Sequence, residues 1–470
     1  MKPTRTLLIL CSINALWLTQ PSMAELPLTG GQTTIRQTPN SAAFSQPAAN
    51  LSLMDKVDFS VGNSFFRNPW VIAPSSTIAR DGLGPLFNTN GCESCHIGDG
   101  RGHAPNDEND SAISMLIRLS VKAESELDIA QQKLYGPLAE PTYGHQLQDL
   151  SIPDVAHEGK IKTHWQYSTF SYPDGSSIRL RQPEFVITDL NYGAFADNAQ
   201  FSARIAPQMI GLGLLEQIPE AAILANADPD DANGDGISGK ANYVWDIRKQ
   251  TSNLGRFGWK AGMPTLEQQN AAAFKGDIGI TSELMPNDDC SQHQIDCLQK
   301  PNGNRQGEPW ELQQDVLAAV TFYTRHLAVP MQRHSEDESV KLGQRLFDDI
   351  GCSQCHVSEF TTAKNPSLPA LSEQTFHPFS DLLLHDMGEA LADYREEFLA
   401  NGREWRTPPL WGMGHHIDVS GQLALLHDGR AETIEQAILW HGGEAEASKQ
   451  QFVQLPKSQR AALIAFLESL

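Results

Sequence analysis

The sequence predicts a mainly α-helical protein made of two related units, the first of which is expanded by insertions with small β elements. The main observation is a repeat, in which Leu86-Phe87-x3-Gly91-Cys92 and Leu346-Phe347-x3-Gly351-Cys352 have identical spacing. A second observation is the apolar spacing over residues 310–327 and 339–347, which has the period of about 3.6 residues that is typical of amphipathic helices. The order of the repeated motifs is preserved along the chain, which favours duplication over coincidence.

Each unit contains the pentapeptide Cys-x-x-Cys-His, at residues 92–96 and 352–356. In this pattern two thiols add to the vinyl groups of a haem, and the following imidazole ligates its iron. A zinc knuckle or a redox dithiol also uses Cys-x-x-Cys, but neither requires a His directly after it. We therefore predict two tandem cytochrome c-like domains with covalently bound c-type haems. The predicted haem residues are Cys92, Cys95, His96, Cys352, Cys355 and His356.

The first 24 residues have the pattern of a secretory signal peptide. Lys2 and Arg5 precede the apolar run 7–18, and Ser22-Met23-Ala24 supplies the small residues of a cleavage site. No other stretch of the sequence is apolar enough to span a bilayer. Because covalent haem requires reduced Cys delivered outside the cytoplasm, we predict a periplasmic protein.

The chain is strongly acidic, with a formal charge of −22 that becomes −24 once Lys2 and Arg5 leave with the signal. This balance disfavours nucleic acid and anionic membrane surfaces as partners. A small redox protein, either a cytochrome c or a copper protein, is the predicted electron donor.

The polar segment 333–338 separates the two units and is the predicted domain boundary, which gives domains 25–335 and 336–470. The first unit carries the insertions. One of them, at about residues 135–200, contains alternating stretches at 177–181 and 184–187 between Pro-Asp-Gly and Asn-Tyr-Gly turns, which predict small strands. Near the other end of the chain, Ser458 is the predicted cap of a last helix through Leu470.

Two cysteines are left after the haem motifs and the signal peptide are accounted for. Cys290 and Cys297 are seven residues apart, and in an oxidising compartment this separation favours a local disulfide. A catalytic dithiol is the alternative, but the flanking Asp288, Asp289 and Asp296 would raise the thiol pKa values rather than lower them.

The segment Asp231-x-Asn233-x-Asp235-Gly236 reproduces the first half of an oxygen-rich calcium loop. Its twelfth position is Asn242 instead of the usual bidentate Glu, so the loop is not an ordinary EF-hand. With the carbonyl of Ile237 and the neighbouring Asp residues, it predicts a structural calcium site. An Asp- and Gly-rich turn without an ion is the alternative.

The sixth ligand of each haem iron decides which haem reacts with an oxidant. Met387 is the predicted sixth ligand of the second haem, because Gly388 allows the backbone to approach the ring closely. Met413 and His385 are alternatives, and a core position is the other interpretation of Met387. The first unit has no comparably placed Met, so we predict that the first haem is the reactive centre and the second the electron reservoir.

The chain contains further distinctive motifs outside the two haem sites. They are Asp99-Gly100-Arg101-Gly102, Gly211-x-Gly213-Leu214-Leu215-Glu216, Asp235-Gly236-Ile237-Ser238-Gly239, Gly255-Arg256-Phe257-Gly258-Trp259-Lys260-Ala261, Leu384-His385-Asp386-Met387-Gly388, Glu404-Trp405-Arg406-Thr407 and Leu426-His427-Asp428-Gly429-Arg430-Ala431. On these residues, the chain from Leu86 to Leu470 resembles the bacterial di-haem oxidoreductase family, whose members are also named as peroxidases or thiol oxidoreductases. It is more distantly similar to the di-haem cytochrome c peroxidases.

The resemblance to the cytochrome c peroxidases implies catalytic residues in the first unit. In those enzymes a Trp, followed ten residues later by a Gln, lines the peroxide-binding haem within a Trp-Asp-Gly-Arg-Ala segment. Trp259 and Gln269 have that separation here, although Lys260-Ala261-Gly262 replaces Asp-Gly-Arg. The resemblance implies that Gln269 positions peroxide and that Trp259 lies on the electron path. A core role for Trp259 and a solvent-facing Gln269 are the alternatives.

An acid is also needed to protonate the leaving water. Glu216 is the predicted acid, with Asp277 and Glu283 as alternatives. The sequence thus predicts a periplasmic peroxidase-like enzyme that reduces hydrogen peroxide or a similar oxidant at the first haem, with electrons relayed by the second. Two other functions stay open. One is oxidation of a protein substrate, as in the related methylamine-utilisation di-haem enzyme, and the other is a non-catalytic electron carrier or redox sensor.

Overall fold

Short helices and strand pairs alternate along the part of the chain that the computed structural model describes, which comprises residues 28–36, 40–107, 110, 113–300, 302–304 and 308–470. The predicted signal peptide, residues 1–24, lies outside these ranges. The described helices are α1 (Leu53–Arg67), α2 (Cys92–Cys95), α3 (Glu126–Tyr135), α4 (Leu212–Glu216), α5 (Glu220–Leu224), α6 (Leu266–Ile278), α7 (Ile295–Leu298), α8 (Gln314–Arg325), α9 (Glu338–Asp349), α10 (His416–Ser420), α11 (Ile434–Trp440), α12 (Glu446–Gln454) and α13 (Lys457–Ser469). None of them combines the length and the apolar character needed to cross a bilayer.

The strands form small antiparallel pairs instead of one extended sheet. They are β1 (Leu86–Phe87), β2 (Met115–Val121), β3 (Leu150–Ser151), β4 (Lys160–Ser171), β5 (Ser177–Thr188), β6 (Ala199–Ile205), β7 (Tyr243–Asp246), β8 (Thr251–Leu254), β9 (Phe360–Thr361), β10 (Thr375–Phe376), β11 (Leu384–Asp386) and β12 (Glu404–Arg406). The pairs are β1 with β3, β2 with β6, β4 with β5, β7 with β8, β9 with β10, and β11 with β12. The prediction of a mainly α-helical fold with small β elements is confirmed at this level.

The predicted helices are present, with one error at a helix start. Helix α8 lies within the predicted segment 310–327, and helix α9 contains the predicted segment 339–347. Helix α13 begins at Lys457, and its N-cap is Pro456, whose carbonyl oxygen accepts from the backbone N–H groups of Gln459 and Arg460. The predicted cap at Ser458 is therefore wrong. Proline has no backbone N–H to donate, and the first N–H groups of a helix have no partner within the helix, so proline loses nothing at this position.

The hairpin of β4 and β5 is longer than the predicted strands and reaches the far unit. Its turn contains Asp174, which pairs with Arg460 at 2.8 Å. Next to the turn, Tyr172 is buried and donates its hydroxyl to Glu435 at 2.7 Å. Tyr172 and Leu180 belong to a core cluster that otherwise consists of residues after 339. A boundary at residue 335 stays a prediction, because an insertion of the first unit completes the core of the second.

Local structure repeats where the sequence repeats. Thr265 caps α6 and Thr433 caps α11, and each hydroxyl accepts from the backbone N–H three residues later. The glycines before α4 and α10 also correspond, since Gly211 and Gly412 have φ angles of 69° and 74°. Only glycine adopts this left-handed region without strain. A side chain at Gly211 would also collide with the ring of Trp411, 2.3 Å from an added Cβ.

The predicted disulfide is confirmed. Cys290 and Cys297 are bonded, with their Cα atoms 5.9 Å apart. The bridge packs with Leu86, Ile152 and Val155 in a small apolar cluster. It therefore holds the loop around α7 against the strand that leads into the first Cys-x-x-Cys-His motif. The four cysteines of the two motifs are free thiols.

Candidate active site

Each Cys-x-x-Cys-His motif lines a large cavity. The first cavity contains Cys92, Cys95 and His96 and encloses about 2570 Å³ of empty space, part of it open to solvent. The second contains Cys352, Cys355 and His356 and encloses about 1420 Å³. Both are deep enough to receive a cofactor, and the first has nearly twice the space of the second.

The two histidines are oriented as iron ligands. Nδ1 of His96 lies 2.7 Å from the carbonyl oxygen of Pro207, and Nδ1 of His356 lies 2.9 Å from that of Phe379. A hydrogen bond at Nδ1 fixes the tautomer and leaves Nε2 with a free lone pair for a metal. Burial lowers the pKa of both imidazoles, to about 4 for His356. Both rings are therefore neutral and able to ligate near neutral pH.

Three of the four thiols, those of Cys92, Cys95 and Cys352, suit covalent attachment better than redox or zinc chemistry. Burial raises the pKa of the Cys92 and Cys352 thiols to about 12, and that of Cys95 also rises. The charge of Asp277 adds to the effect at Cys92 and Cys95. A reactive dithiol or a zinc site needs thiolates. In addition, no group of three His, Cys, Asp or Glu side chains in the described ranges is arranged to hold a metal ion.

A wall shared by the two cavities explains how haem carboxylates would be held. Arg101 and Arg406 line both cavities and are buried. Neither guanidinium forms an ion pair with a carboxylate of the described chain, and Nε of Arg101 has no hydrogen-bond partner. Nε1 of Trp411, which lines the first cavity, is also unpartnered. Buried unpaired cations are costly, so this wall fits the propionates of a haem, and the residues present fit the predicted cofactors.

Trp259 is the aromatic residue of this shared wall. With Arg101, Arg406 and Pro408, it lines both cavities. It is 7% exposed, its Nε1 donates to the carbonyl oxygen of Ile205 at 2.9 Å, and the guanidinium of Arg101 lies 5.5 Å from its ring. Trp259 is thus a core residue that lines both cavities.

Gln269 lies where the family resemblance implies. It is on α6, lines the first cavity and is half-buried. Its amide makes no hydrogen bond within the part of the chain that is described. A Cβ added at Gly258, the residue before Trp259, would lie 3.9 Å from Gln269 Oε1. The amide is therefore free to bond a small molecule in the cavity.

Two of the three candidate acids lie outside both cavities. The carboxylate of Glu216 accepts from the backbone N–H of Leu266 at 2.9 Å and pairs with Arg325 at 2.7 Å. It holds the start of α6 to α8 and does not line a cavity, so the structure does not support Glu216 as the acid. Glu283 pairs with Arg248 at 3.1 Å on the surface.

Asp277, at the end of α6, lines the first cavity. Its Oδ1 accepts from Nε2 of the buried Gln146 at 2.9 Å. No side chain in the described ranges donates to its other oxygen, so Asp277 is the one of the three candidate acids that lines the cavity. The sequence named Asp277 only as an alternative, because helix position alone does not tell which of three acidic residues faces inward.

The residues around the second cavity narrow the choice of its sixth ligand. Both ring nitrogens of His385 are occupied, with Nε2 2.8 Å from Asp381 and Nδ1 2.7 Å from Glu444. His385 therefore has no lone pair for iron. Met413 packs in the same cluster as Phe347 and also lines the second cavity, so it stays an alternative.

Met387 lines the second cavity, as predicted, but two histidines that the sequence did not suggest line it as well. Nδ1 of His427 lies 3.1 Å from the carbonyl oxygen of Ala203, and its buried Nε2 has no hydrogen-bond partner. Nδ1 of His441 lies 2.7 Å from the carbonyl oxygen of Ala437. In both residues, as in His96 and His356, Nδ1 lies against a backbone carbonyl oxygen and Nε2 is left for a metal. His427 belongs to the motif Leu426-His427-Asp428-Gly429-Arg430-Ala431. The sequence did not indicate its role, because Ala203, whose carbonyl oxygen fixes its ring, is 224 residues away.

The calcium-like loop satisfies its own oxygens. The side chain of Asp231 accepts from the N–H of Gly236, that of Asn233 from Asp235, and that of Asp235 from Ile237. These bonds match the alternative of a turn without an ion, and the calcium site stays a prediction. The loop does approach the second cavity, which Ile237 lines.

Comparisons with known proteins agree with the motifs. The family model described as "Di-haem oxidoreductase, putative peroxidase" matches residues 24–470. Among solved structures, hydrazine synthase of Kuenenia stuttgartiensis is similar to 38% of this chain and 63% of that chain, with 19% identity and a TM-score of 0.23. The chain thus spans less than two thirds of that protein, and a likeness this weak supports no argument. A comparison with curated proteins found no match. On the family match, the chain belongs to the di-haem oxidoreductase family.

Proposed function

We propose that the chain is a periplasmic c-type di-haem peroxidase that reduces hydrogen peroxide in the first cavity with electrons that enter through the second. One haem is attached through Cys92 and Cys95 and the other through Cys352 and Cys355, with His96 and His356 as proximal ligands. Residues 1–24 are the signal peptide in this proposal. The electron donor is a small cytochrome c or copper protein that docks near the second cavity.

The observation that carries the proposal is the asymmetry of two cavities with a common wall. The first has almost twice the empty space and is lined by the unbonded amide of Gln269 and by Asp277. Side chains that can complete the coordination of an iron line both cavities: Met387, Met413, His427 and His441 line the second, and His145, Met209, Met263 and Met285 line the first. The asymmetry therefore lies in the empty space and in the unbonded amide of Gln269. An open iron suits reaction with an oxidant, and a six-coordinate iron suits electron storage.

The residues of the chain perform the other steps of catalysis. When bound, a haem iron supplies peroxide cleavage at the first site and electron storage at the second. The amide of Gln269 would orient the oxidant in the first cavity, and Asp277 would deliver a proton to the leaving oxygen. Trp259 connects the cavities, so that electrons pass between them through an indole instead of a gap. The buried walls keep bulk water from the reacting atoms.

Peroxide turnover by the purified two-haem protein tests this function. We expect hydrogen peroxide to oxidise a reduced cytochrome c or copper donor catalytically. Replacement of Gln269 by Ala should lower kcat about tenfold or more, because the amide that orients the oxidant is lost. Gln166→Ala on the exposed β4 strand is the control and should leave kcat unchanged. Absence of turnover in the intact protein with either donor class would contradict the proposal.

The sixth ligand of the second haem is one of Met387, Met413, His427 and His441 in our proposal. Replacement of the true ligand by Ala should convert one of the two haems from low to high spin, and the other three replacements should leave the spin state unchanged. Electronic absorption and electron paramagnetic resonance spectra of the ferric proteins measure this. Met387→Ala tests the sequence-based prediction. The set itself is wrong if none of the four variants changes the spin state.

A further inference from the structure

A second group of cations lines the first cavity, apart from the wall that it shares with the second. Arg118 on β2 and Arg395 both line this cavity, together with His145 and Lys275. Lys275 is neutralised by Asp289, at 2.8 Å. Burial, aided by the neighbouring cations, lowers the pKa of His145 to about 4, so the imidazole is neutral. Arg118 and Arg395 are therefore the two positive charges of this group whose counter-charges have to be identified.

Arg118 has no partner in the described chain. Its side chain makes neither a hydrogen bond nor an ion pair there, although it is half-buried. Its Nη1 approaches α6 at Gly276, 3.8 Å from where a Cβ would lie. A guanidinium carries five donors in a fixed fork, and here all of them are left for the cavity.

Arg395 is only partly satisfied, and its surroundings are net positive. It is 3% exposed, its Nη1 pairs with Glu397 at 2.8 Å, and its Nε has no partner. Glu397 also pairs with Arg204 at 2.9 Å. Arg204 also lies 3.7 Å from Asp393, which pairs with Lys260 as well. Two carboxylates thus serve three cations, while Arg118 nearby adds a fourth positive charge. A buried excess of positive charge is costly unless an anion joins it.

The propionates of the haem do not account for this group. Arg118 and Arg395 line the first cavity but not the second, so neither belongs to the wall that the two cavities share. The propionates belong instead at the shared wall, where Arg101 and Arg406 lack carboxylate partners.

The cavity also has a way in from solvent. Its empty space of about 2570 Å³ includes space that is open to solvent. Tyr135, Trp245 and Phe398 line its outer part, and Tyr135 is 57% exposed. The rings of Tyr135 and Trp245 are 5.0 Å apart in an edge contact. An aromatic rim therefore leads from solvent to the guanidinium groups of Arg118 and Arg395.

We propose that Arg118 and Arg395 form a binding site for a small oxyanion inside the first cavity, beside the haem. The ligand has at least two oxygens that accept from guanidinium forks, as carboxylates and inorganic oxyanions do. The proposal rests on the proposed function in that it places a haem in the remainder of this cavity. It adds to that function a second ligand of the first cavity, an oxyanion that binds there together with the oxidant.

Calorimetric titration of the two-haem protein with sodium sulfate, at low ionic strength, tests the site. We expect one sulfate per chain in the wild type. Arg118→Gln should weaken binding at least tenfold, and Arg118→Lys, which keeps the charge but loses the fork, should weaken it less. Arg179→Ala is the matched control, since it removes one arginine charge from the exposed hairpin. It should bind sulfate as the wild type does. Haem content and circular dichroism establish that each variant is folded.

Three results would overturn the proposal. The first is no sulfate binding by the wild type at millimolar concentration, and the second is equal binding by wild type and Arg118→Gln. The third is a change in the midpoint potential of the first haem in Arg118→Gln without sulfate and without loss of sulfate binding, which would assign Arg118 to the haem itself. Peroxide turnover is measured separately. Arg118-dependent sulfate binding without turnover would contradict the peroxidase and leave the oxyanion site standing.

Discussion

Replacement of Trp259 by Phe should slow electron transfer between the two haems and lower peroxide turnover at least tenfold, which corresponds to about 1.4 kcal/mol in activation free energy. The indole lines both cavities, and its Nε1 is fixed to the carbonyl of Ile205. A phenyl ring is smaller and cannot make that hydrogen bond, so the wall between the cavities loses both contact and rigidity. Stopped-flow absorption of the half-reduced protein after mixing with peroxide measures the transfer directly.

The control for Trp259 is a buried Trp that lines neither cavity. Trp70 is 3% exposed and packs edge-on against Phe274 at 5.4 Å. Trp70→Phe should lose some stability and keep the electron-transfer rate. If Trp259→Phe also lowers only stability and haem retention, with transfer at the wild-type rate, then Trp259 is a core residue and the electron path lies elsewhere.

Replacement of Lys260 by Met should lower the free energy of unfolding by about 3–5 kcal/mol, because it leaves a buried carboxylate without its closest cation. Lys260 is fully buried. Its Nζ lies 2.9 Å from Asp393 and 2.7 Å from the carbonyl oxygen of Asn401, above the ring of Trp405 at 4.4 Å. Burial lowers its pKa to about 8, against the influence of Asp393. Denaturant unfolding, followed by circular dichroism and by the haem absorption, measures the change.

A double-mutant cycle separates the ion pair from simple packing. Adding Asp393→Asn to Lys260→Met should recover part of the lost stability, since the unpaired charge is removed. Lys341→Met on α9, where the side chain is 39% exposed and pairs with Glu338, is the control and should have no measurable effect. Additive losses in the cycle would contradict a stabilising Lys260–Asp393 pair. This pair matters for function because it holds the residue next to Trp259.

The features that the sequence predicted correctly are those set by neighbouring residues. The disulfide closes a loop of seven-residue separation, and helices α8 and α9 follow from the apolar spacing within their own segments. In each case the physical requirement is local, so the residue types and their spacing suffice.

The features that the sequence missed depend on distant chain segments. His427 is fixed by Ala203, 224 residues away, and Arg395 meets Arg118 only because their segments fold against one cavity. Glu216 belongs to a distinctive motif, but it pairs with Arg325, 109 residues later, and not with a substrate. Glu216 and Asp277 both carry a carboxyl group that could act as the acid. Which of them lines the cavity depends on how α6 packs against it.

The central claim is that two similar haem units perform different tasks, with an open first haem and a six-coordinate second haem. Electron paramagnetic resonance of the half-reduced protein, before and after addition of peroxide, tests it most directly. The account predicts a high-spin or five-coordinate first haem whose state changes on peroxide addition, while the second haem keeps its low-spin coordination and is oxidised. Two low-spin, six-coordinate haems that do not react with peroxide at any stage of reduction would contradict it and would indicate an electron carrier instead.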